Sequence, residues 1–196
     1  MFFPRSELAY TRCYCEENIY KLCEWIKEKH ENEIDNILVV FISNPDRRVP
    51  LWEQSSAVEG NFVIWDYHVI LLQCVGDGTD GIVYDFDSRL PFPTPFRDYI
   101  SRTFRPNIDL ASAFKRWFRL IPCRNFLRYF ASDRSHMLQD GEYIMAPPTY
   151  KAICIPGVQM NLDRYIDMTQ NGDSDKYGTI LSEIEFFTYC RSDFSN

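Results

Sequence analysis

A chain of 196 residues, 45% hydrophobic and 16% aromatic, has the length of one domain and enough apolar material for a sizeable core, which excludes long-range disorder. The formal net charge of −7 and pI of about 5.0 argue against nucleic acid as a partner and suit a positively charged one, such as a free α-amino group. No stretch approaches the roughly 18 apolar residues needed to span a bilayer, and MFFPRSELAY at the start carries Arg5 and Glu7 where a signal peptide needs an apolar segment. No membrane partner is expected, the seven cysteines read as reduced thiols, and the expected compartment is the cytoplasm, with the nucleus as a second.

In chain order, residues 15–30, CEENIYKLCEWIKEKH, predict an amphipathic helix, because Ile19, Leu22, Cys23 and Ile26 recur at helical spacing and form one stripe. ILVVFIS, 37–43, predicts a buried strand, and Pro45 and Pro50 punctuate the stretch after it. FVIWDYHVILLQCV, 62–75, is rich in β-branched and aromatic residues and predicts one long strand or two short ones. GDGTDG is a turn signal and IVYDFD a further strand. LPFPTPF, with three prolines in seven residues, predicts a loop. Helical pieces are expected near 96–104, 108–115, 123–130 and 161–167, with loops at 149–156 and 171–175. Ser182 and Glu185 have capping-box spacing and open a last helix through about Cys190. Helix first, then antiparallel strands, then more helices predicts an α+β fold in a single domain spanning 1–196.

Two features carry chemistry. Cys15 falls at the start of the first helix, where unpaired N–H groups and the helix dipole favour a thiolate and can serve an oxyanion. Glu16 and Glu17 oppose this and are expected to face away from the sulfur. A buried, inert cysteine is the plain alternative, and Cys13 with Cys15 lacks the C-x₂-C spacing of a zinc pair. His68 lies in WDYH, where alternation places Asp66, His68 and Ile70 on one face. Val83, Asp85 and Asp87 share a face of the next strand. A two-residue turn at Asp77-Gly78 sets His68 opposite Asp87 and one diagonal step from Asp85. A Gly76-Asp77 turn sets it opposite Asp85, and a centred six-residue loop moves Asp85 roughly 13 Å along the strand. A carboxylate beside imidazole fixes the tautomer and stabilises the imidazolium; a half-buried histidine satisfied by a neighbouring acid is the reading without chemistry.

CYCEEN (13–18), WDYH (65–68), YDFD (84–87), LPFP (90–93) and FASDRSHM (130–137), in this order and spacing, resemble the block pattern of the protein N-terminal glutamine amidohydrolases. Arg12 and the region 138–160 depart from it. The resemblance implies Cys15 as nucleophile, His68 as base and Asp85, rather than Asp87, as the third member. It implies a papain- or transglutaminase-like core with the nucleophile at a helix N-terminus and neither metal nor organic cofactor. Substrates would be proteins or peptides with N-terminal Gln, converted to Glu for arginylation and the N-degron route. The FASDRSHM loop is expected to line the cleft through Ser132, Asp133 and His136. Glu16, Asp66 and Asp133 are candidates for holding the substrate's α-ammonium. A monomer is expected. Another Cys-His-Asp enzyme, a peptidase or transglutaminase, and a silent interaction module remain as rival classes.

Overall fold

The structure, a computed structural model, describes residues 3–74, 81–170 and 172–189. The amphipathic stripe becomes helix α1 (Cys15–Lys29), with Ile19, Leu22, Cys23 and Ile26 all buried. The strands in chain order are β1 (Ile37–Ser43), β2 (Val49–Trp52), β3 (Phe62–Trp65), β4 (His68–Gln73), β5 (Ile82–Tyr84), β6 (Thr94–Pro95), β7 (Trp117–Pro122), β8 (Leu138–Gln139), β9 (Glu142–Tyr143) and β10 (Thr179–Ser182). Six of them form one antiparallel sheet in the order β10-β7-β1-β4-β5-β6, while β2-β3 and β8-β9 are separate two-stranded ribbons. The remaining helices are α2 (Phe96–Tyr99), which continues as a π-helical turn through Phe104, α3 (Cys123–Tyr129), α4 (Leu162–Ile166), α5 (Ser174–Tyr177) and α6 (Glu183–Tyr189). This is a single α+β domain, and among its described residues no helix is long and apolar enough to cross a membrane.

Alternation along the central strands builds two cores. Val39, Phe41, Val69 and Leu71 pack with Ile19, Leu22 and Ile26 of α1, Phe126 of α3 and Tyr165 of α4. Val40, Ile42, Ile70, Leu72 and Val83 pack on the other side with Phe96, Tyr99, Phe104, Phe118 and Phe186. Stretch 62–75 resolves into two short strands, which belong to different sheets and part at Asp66 and Tyr67. The predicted turn at 76–81 falls, but for Gly81, outside the described residues.

Three expectations need correction. The predicted 108–115 helix is only a 3₁₀ turn at Ser112–Phe114. The proline-rich loop contributes Thr94–Pro95 to the edge of the sheet and Phe96 to α2. β7, a neighbour of the central strand, is absent from the predicted elements because Arg119 interrupts its apolar run and Arg116 stands just before it. Both are buried and satisfied: Arg116 binds both carboxylate oxygens of Glu183 at 2.7 and 2.9 Å, and Arg119 donates to the carbonyls of Tyr165, Asp167, Tyr177 and Gln170. Gly178, at φ +76, enters β10 so close to β7 that a Cβ would stand 2.0 Å from the Leu120 carbonyl oxygen, a position closed to any side chain. Ser182 and Glu185 form the expected capping box, with Ser182 N–H to Glu185 Oε2 at 2.7 Å.

Candidate active site

Cys15 is the first residue of α1. The turn leading into it is braced by buried Asn18, whose side chain accepts from Thr11 N–H and donates to Thr11 O, both at 2.8 Å. The brace holds Cys13 at φ 66, a left-handed conformation that a non-glycine residue adopts only under local constraint. The Val69 backbone lies close enough to the Cys15 sulfur to favour its thiolate, so the thiol sits at the N-terminal end of β4, one residue from His68.

His68 opens β4 and is buried, sharing the inner face of Ile70 and Leu72 as alternation predicts. β4 and β5 pair as Leu71↔Tyr84, Leu72↔Val83 and Gln73↔Ile82. Continued three residues, that register sets position 68 across from 87, as the Asp77-Gly78 alternative has it. The strand ends at Tyr84, however, and the chain turns, so the carboxylate that reaches the imidazole is that of Asp85, 2.9 Å from His68 Nε2. Asp85 Oδ1 also accepts the Asp87 N–H at 2.9 Å, and Oδ2 accepts Tyr99 OH at 2.7 Å and Gln54 Nε2 at 3.1 Å. Gln54 is oriented in turn by Trp65 Nε1 at 3.2 Å, and the Trp65 ring stacks on His68. With Nε2 engaged by Asp85, Nδ1 is the nitrogen left to exchange protons with the cleft. Gln54, Trp65 and Tyr99 are invisible as site residues in the sequence, because nothing in their spacing ties them to Asp85. Potential ligand atoms of His68, Asp85 and Asp87 lie within 4.8 Å of one another, but four donors already occupy the Asp85 oxygens. The group is built as a hydrogen-bonded relay rather than an open ligand set.

The electrostatics revise one expectation. Glu17 faces away, making a bidentate pair with buried Arg134 at 2.8 and 2.9 Å, but Glu16 does not: its Oε2 lies 3.7 Å from the Cys15 sulfur, accepting from the thiol, and takes Tyr67 OH at 2.9 Å. Burial first, then Glu16, Asp87 and Asp66, hold the Cys15 thiol well above its usual range despite the Val69 backbone. These groups work against the thiolate that the helix start alone favours. Burial lowers the basicity of His68, but the charge and hydrogen bond of Asp85, with Asp87 and Glu16, outweigh it and raise its pKa. Burial acts against Asp85 as well, and its partners His68, Tyr99 and Gln54 prevail, so its carboxyl lies below the usual range. Asp87 goes the other way: burial pushes its carboxyl up although Tyr10 OH donates to it at 2.7 Å.

Cys15 and His68 open onto one cleft of about 290 Å³, whose walls include Cys13, Trp65, Asp66, Tyr67 and Asp87. Of the FASDRSHM loop only His136 and Met137 are among its lining residues. Asp66 is exposed on the cleft wall, and Glu16 is buried just behind it. Ser132 is 0% exposed, with its N–H on the Ile153 carbonyl. Asp133 is half-buried and accepts the Ser135 N–H at 2.9 Å, shaping the turn that carries His136. Arg134 does not pair with Asp133; it ties this loop to α1 through Glu17. Glu17→Gln is expected to lower stability by roughly 3–5 kcal/mol, because it leaves a buried guanidinium short of its partner; an unchanged denaturation midpoint would show that the pair contributes nothing. The Arg47–Asp163 ion pair, 2.8 Å, closes the far rim, and its two residues lie too far apart in the chain for spacing to suggest it.

Residues 10–190 match the sequence model of a family described as N-terminal glutamine amidase. The chain is 43% identical over 166 residues to the protein N-terminal glutamine amidohydrolase of Bos taurus, covering 84% of this chain and 80% of the relative. It is 41% identical over 182 residues to that of Danio rerio, covering 92% and 88%, and 42% identical over 160 residues to that of Drosophila melanogaster, covering 77% and 75%.

Proposed function

The chain belongs to the N-terminal glutamine amidase family, and from that premise we propose that it hydrolyses the side-chain amide of an N-terminal Gln, giving N-terminal Glu and ammonia through a thioester on Cys15. The observation that carries the reading is the buried 2.9 Å contact of His68 Nε2 with Asp85 in the same cleft as a helix-start cysteine. Family membership supports Gln as the substrate; the site supports the chemistry.

The steps balance as thiol acyl transfer. The Cys15 proton passes to His68 Nδ1 as sulfur bonds to the amide carbon, and Asp85 stabilises the imidazolium. The oxyanion takes backbone N–H donors at the start of α1, that of Cys15 among them. His68 returns the proton to the departing nitrogen, because an amide ion is too poor a leaving group, and ammonia leaves. Water then gives a proton to His68, attacks the thioester and releases the carboxylic acid and the thiol. No step calls on a metal or an organic cofactor. We read the core as papain- or transglutaminase-like, the protein as a monomer of the cytoplasm with the nucleus as a second compartment, and the product as feeding arginylation in the N-degron route.

A free ammonium is what separates an N-terminal Gln from an internal one, so recognition needs acidic groups near the cleft; Asp66 and Glu16 are the acids we put forward for it. Asn is one methylene shorter, and with the ammonium fixed its carbonyl falls about 1.5 Å short of the sulfur. A ~1 Å misplacement already costs on the order of a hundredfold. Ammonia release is therefore expected from a Gln-initiated peptide, with a mass gain of about one unit, and not from the N-acetyl-Gln or Asn-initiated peptide. Comparable release from the acetylated peptide removes the ammonium requirement. Chain cleavage or amine incorporation in place of deamidation would make the protein a peptidase or transglutaminase instead.

A further inference from the structure

Glu16 is 0% exposed, yet only one of its oxygens is satisfied. Oε2 accepts from Tyr67 OH at 2.9 Å and from the Cys15 thiol at 3.7 Å. Oε1 has no hydrogen-bond partner among the described residues. His136 Nε2 stands 3.5 Å from it, within ion-pair reach, and among the described residues neither His136 ring nitrogen has a hydrogen bond. A buried carboxylate oxygen without a hydrogen bond costs free energy, and Glu16 lies against Cys15, Tyr67 and His136, three residues that line the cleft.

Resting on the N-terminal glutamine reading, we propose that Glu16 couples recognition to chemistry: it keeps Cys15 protonated in the empty enzyme, and a substrate α-ammonium seated against it releases that restraint, so the nucleophile is switched on by the group that defines the substrate. The physical basis is Coulombic. A carboxylate oxygen 3.7 Å from sulfur opposes thiolate formation in a site shielded from water, and a cation brought to its other oxygen offsets that opposition. Thermodynamic reciprocity then requires that thiolate formation and ammonium binding strengthen each other. The other titratable and charged groups around the cleft are Cys13 before α1, Asp66, Tyr67 and His68 on the β3–β4 segment, Asp87 beyond β5, His136 on the 135–137 turn and the Arg47–Asp163 pair on the far rim. Glu16 alone among these carboxylates touches the thiol and has an oxygen to spare. The arrangement explains why a helix-start nucleophile is followed directly by an acid that opposes it. It also implies that the empty enzyme resists adventitious alkylation and oxidation.

The test is the pH dependence of Cys15 S-alkylation by iodoacetamide, read by peptide mass so that the other cysteines do not count. In Glu16→Gln the alkylation midpoint should fall by about one pH unit or more, giving roughly tenfold faster labelling near neutrality. In Tyr67→Phe, which keeps the charge and removes its hydrogen bond, the midpoint should rise. A packing defect would move both variants the same way. An Ala-initiated peptide, whose side chain is too short to cover the sulfur, should accelerate labelling of the wild type at millimolar concentration. Its N-acetyl counterpart should not, and Glu16→Gln should not respond to either. An unchanged or raised midpoint in Glu16→Gln, or equal effects of the free and acetylated peptides on the wild type, overturns the coupling. These readouts need no turnover. Absence of ammonia from a Gln-initiated peptide would strike the proposed activity, while an unaltered labelling profile would strike only the role of Glu16.

Discussion

Cys15→Ala is expected to lower ammonia release from a Gln-initiated peptide on the order of 10⁶-fold, to the limit of detection, as loss of a covalent nucleophile does elsewhere, with thermal stability close to that of the parent. Removing one sulfur from the cleft side of the first turn leaves the stripe of Ile19, Leu22, Cys23 and Ile26 that anchors α1 untouched. Cys13→Ala is the control. Cys13 lines the same cleft, but it lies before the helix, at φ 66, and burial keeps its thiol above the usual range although Arg12 opposes this. It lacks the Val69 backbone and the helix start that serve Cys15. An alanine takes up the same left-handed backbone at no greater cost than cysteine, so most of the activity should remain. Equal loss in the two variants, or turnover surviving in Cys15→Ala, sinks the assignment of the nucleophile.

What can be read from the sequence is whatever its periodicity exposes. The stripe of α1 and the apolar run of β1 are visible because each element buries one consistent set of residues. The β7 strand is hidden by Arg116 and Arg119, whose charges mark surface in a sequence and whose partners, Glu183 and a ring of carbonyls, come from residues far along the chain. β2 is hidden by Pro50, which a two-stranded ribbon tolerates. At the site, the pairing of His68 with Asp85 rather than Asp87 comes from the family pattern. Strand alternation leaves both open, and the choice is made by the chain leaving β5 after Tyr84. Glu16 is expected from sequence to face away from the sulfur because of its cost to the adjacent thiol, although the same adjacency makes it a candidate for the substrate's ammonium. Tyr67, the hydrogen-bond donor that draws it inward, lies 51 residues later. Ser132 and Asp133 illustrate the opposite error. Adjacency to His136 in a motif does not place them on the cleft, since one is wholly buried and the other shapes the turn.

Asp85→Asn should cost on the order of 10⁴ in turnover, as loss of the orienting carboxylate does in a comparable triad, and far more than Asp87→Asn. The two acids sit two residues apart and both are buried, so burial does not separate them; their partners do. Asp85 accepts four hydrogen bonds, from His68, Tyr99, Gln54 and the Asp87 N–H. An amide can keep its oxygen toward only one side of that set, and its NH₂ then faces donors on the other. If the NH₂ faces His68, the tautomer reverses and Nδ1 carries the proton where a base is needed. If the oxygen faces His68, the tautomer survives but the imidazolium loses the charge that stabilises it. Among the described residues Asp87 has a single side-chain donor, Tyr10 at 2.7 Å, and burial already pushes its carboxyl toward the neutral form, so an asparagine there resembles what it replaces. The pH profile separates the roles again. Asp85 supplies the largest upward effect on His68, so His68 must lose its proton at a higher pH than usual before it can accept one from Cys15. Removing that carboxylate leaves burial in command and shifts the acid limb of kcat/KM to lower pH, while Asp87→Asn should shift it in the same direction by less. If Asp87→Asn proves the more damaging, or if Asp85→Asn leaves the acid limb in place, the carboxylate that governs His68 has been misidentified.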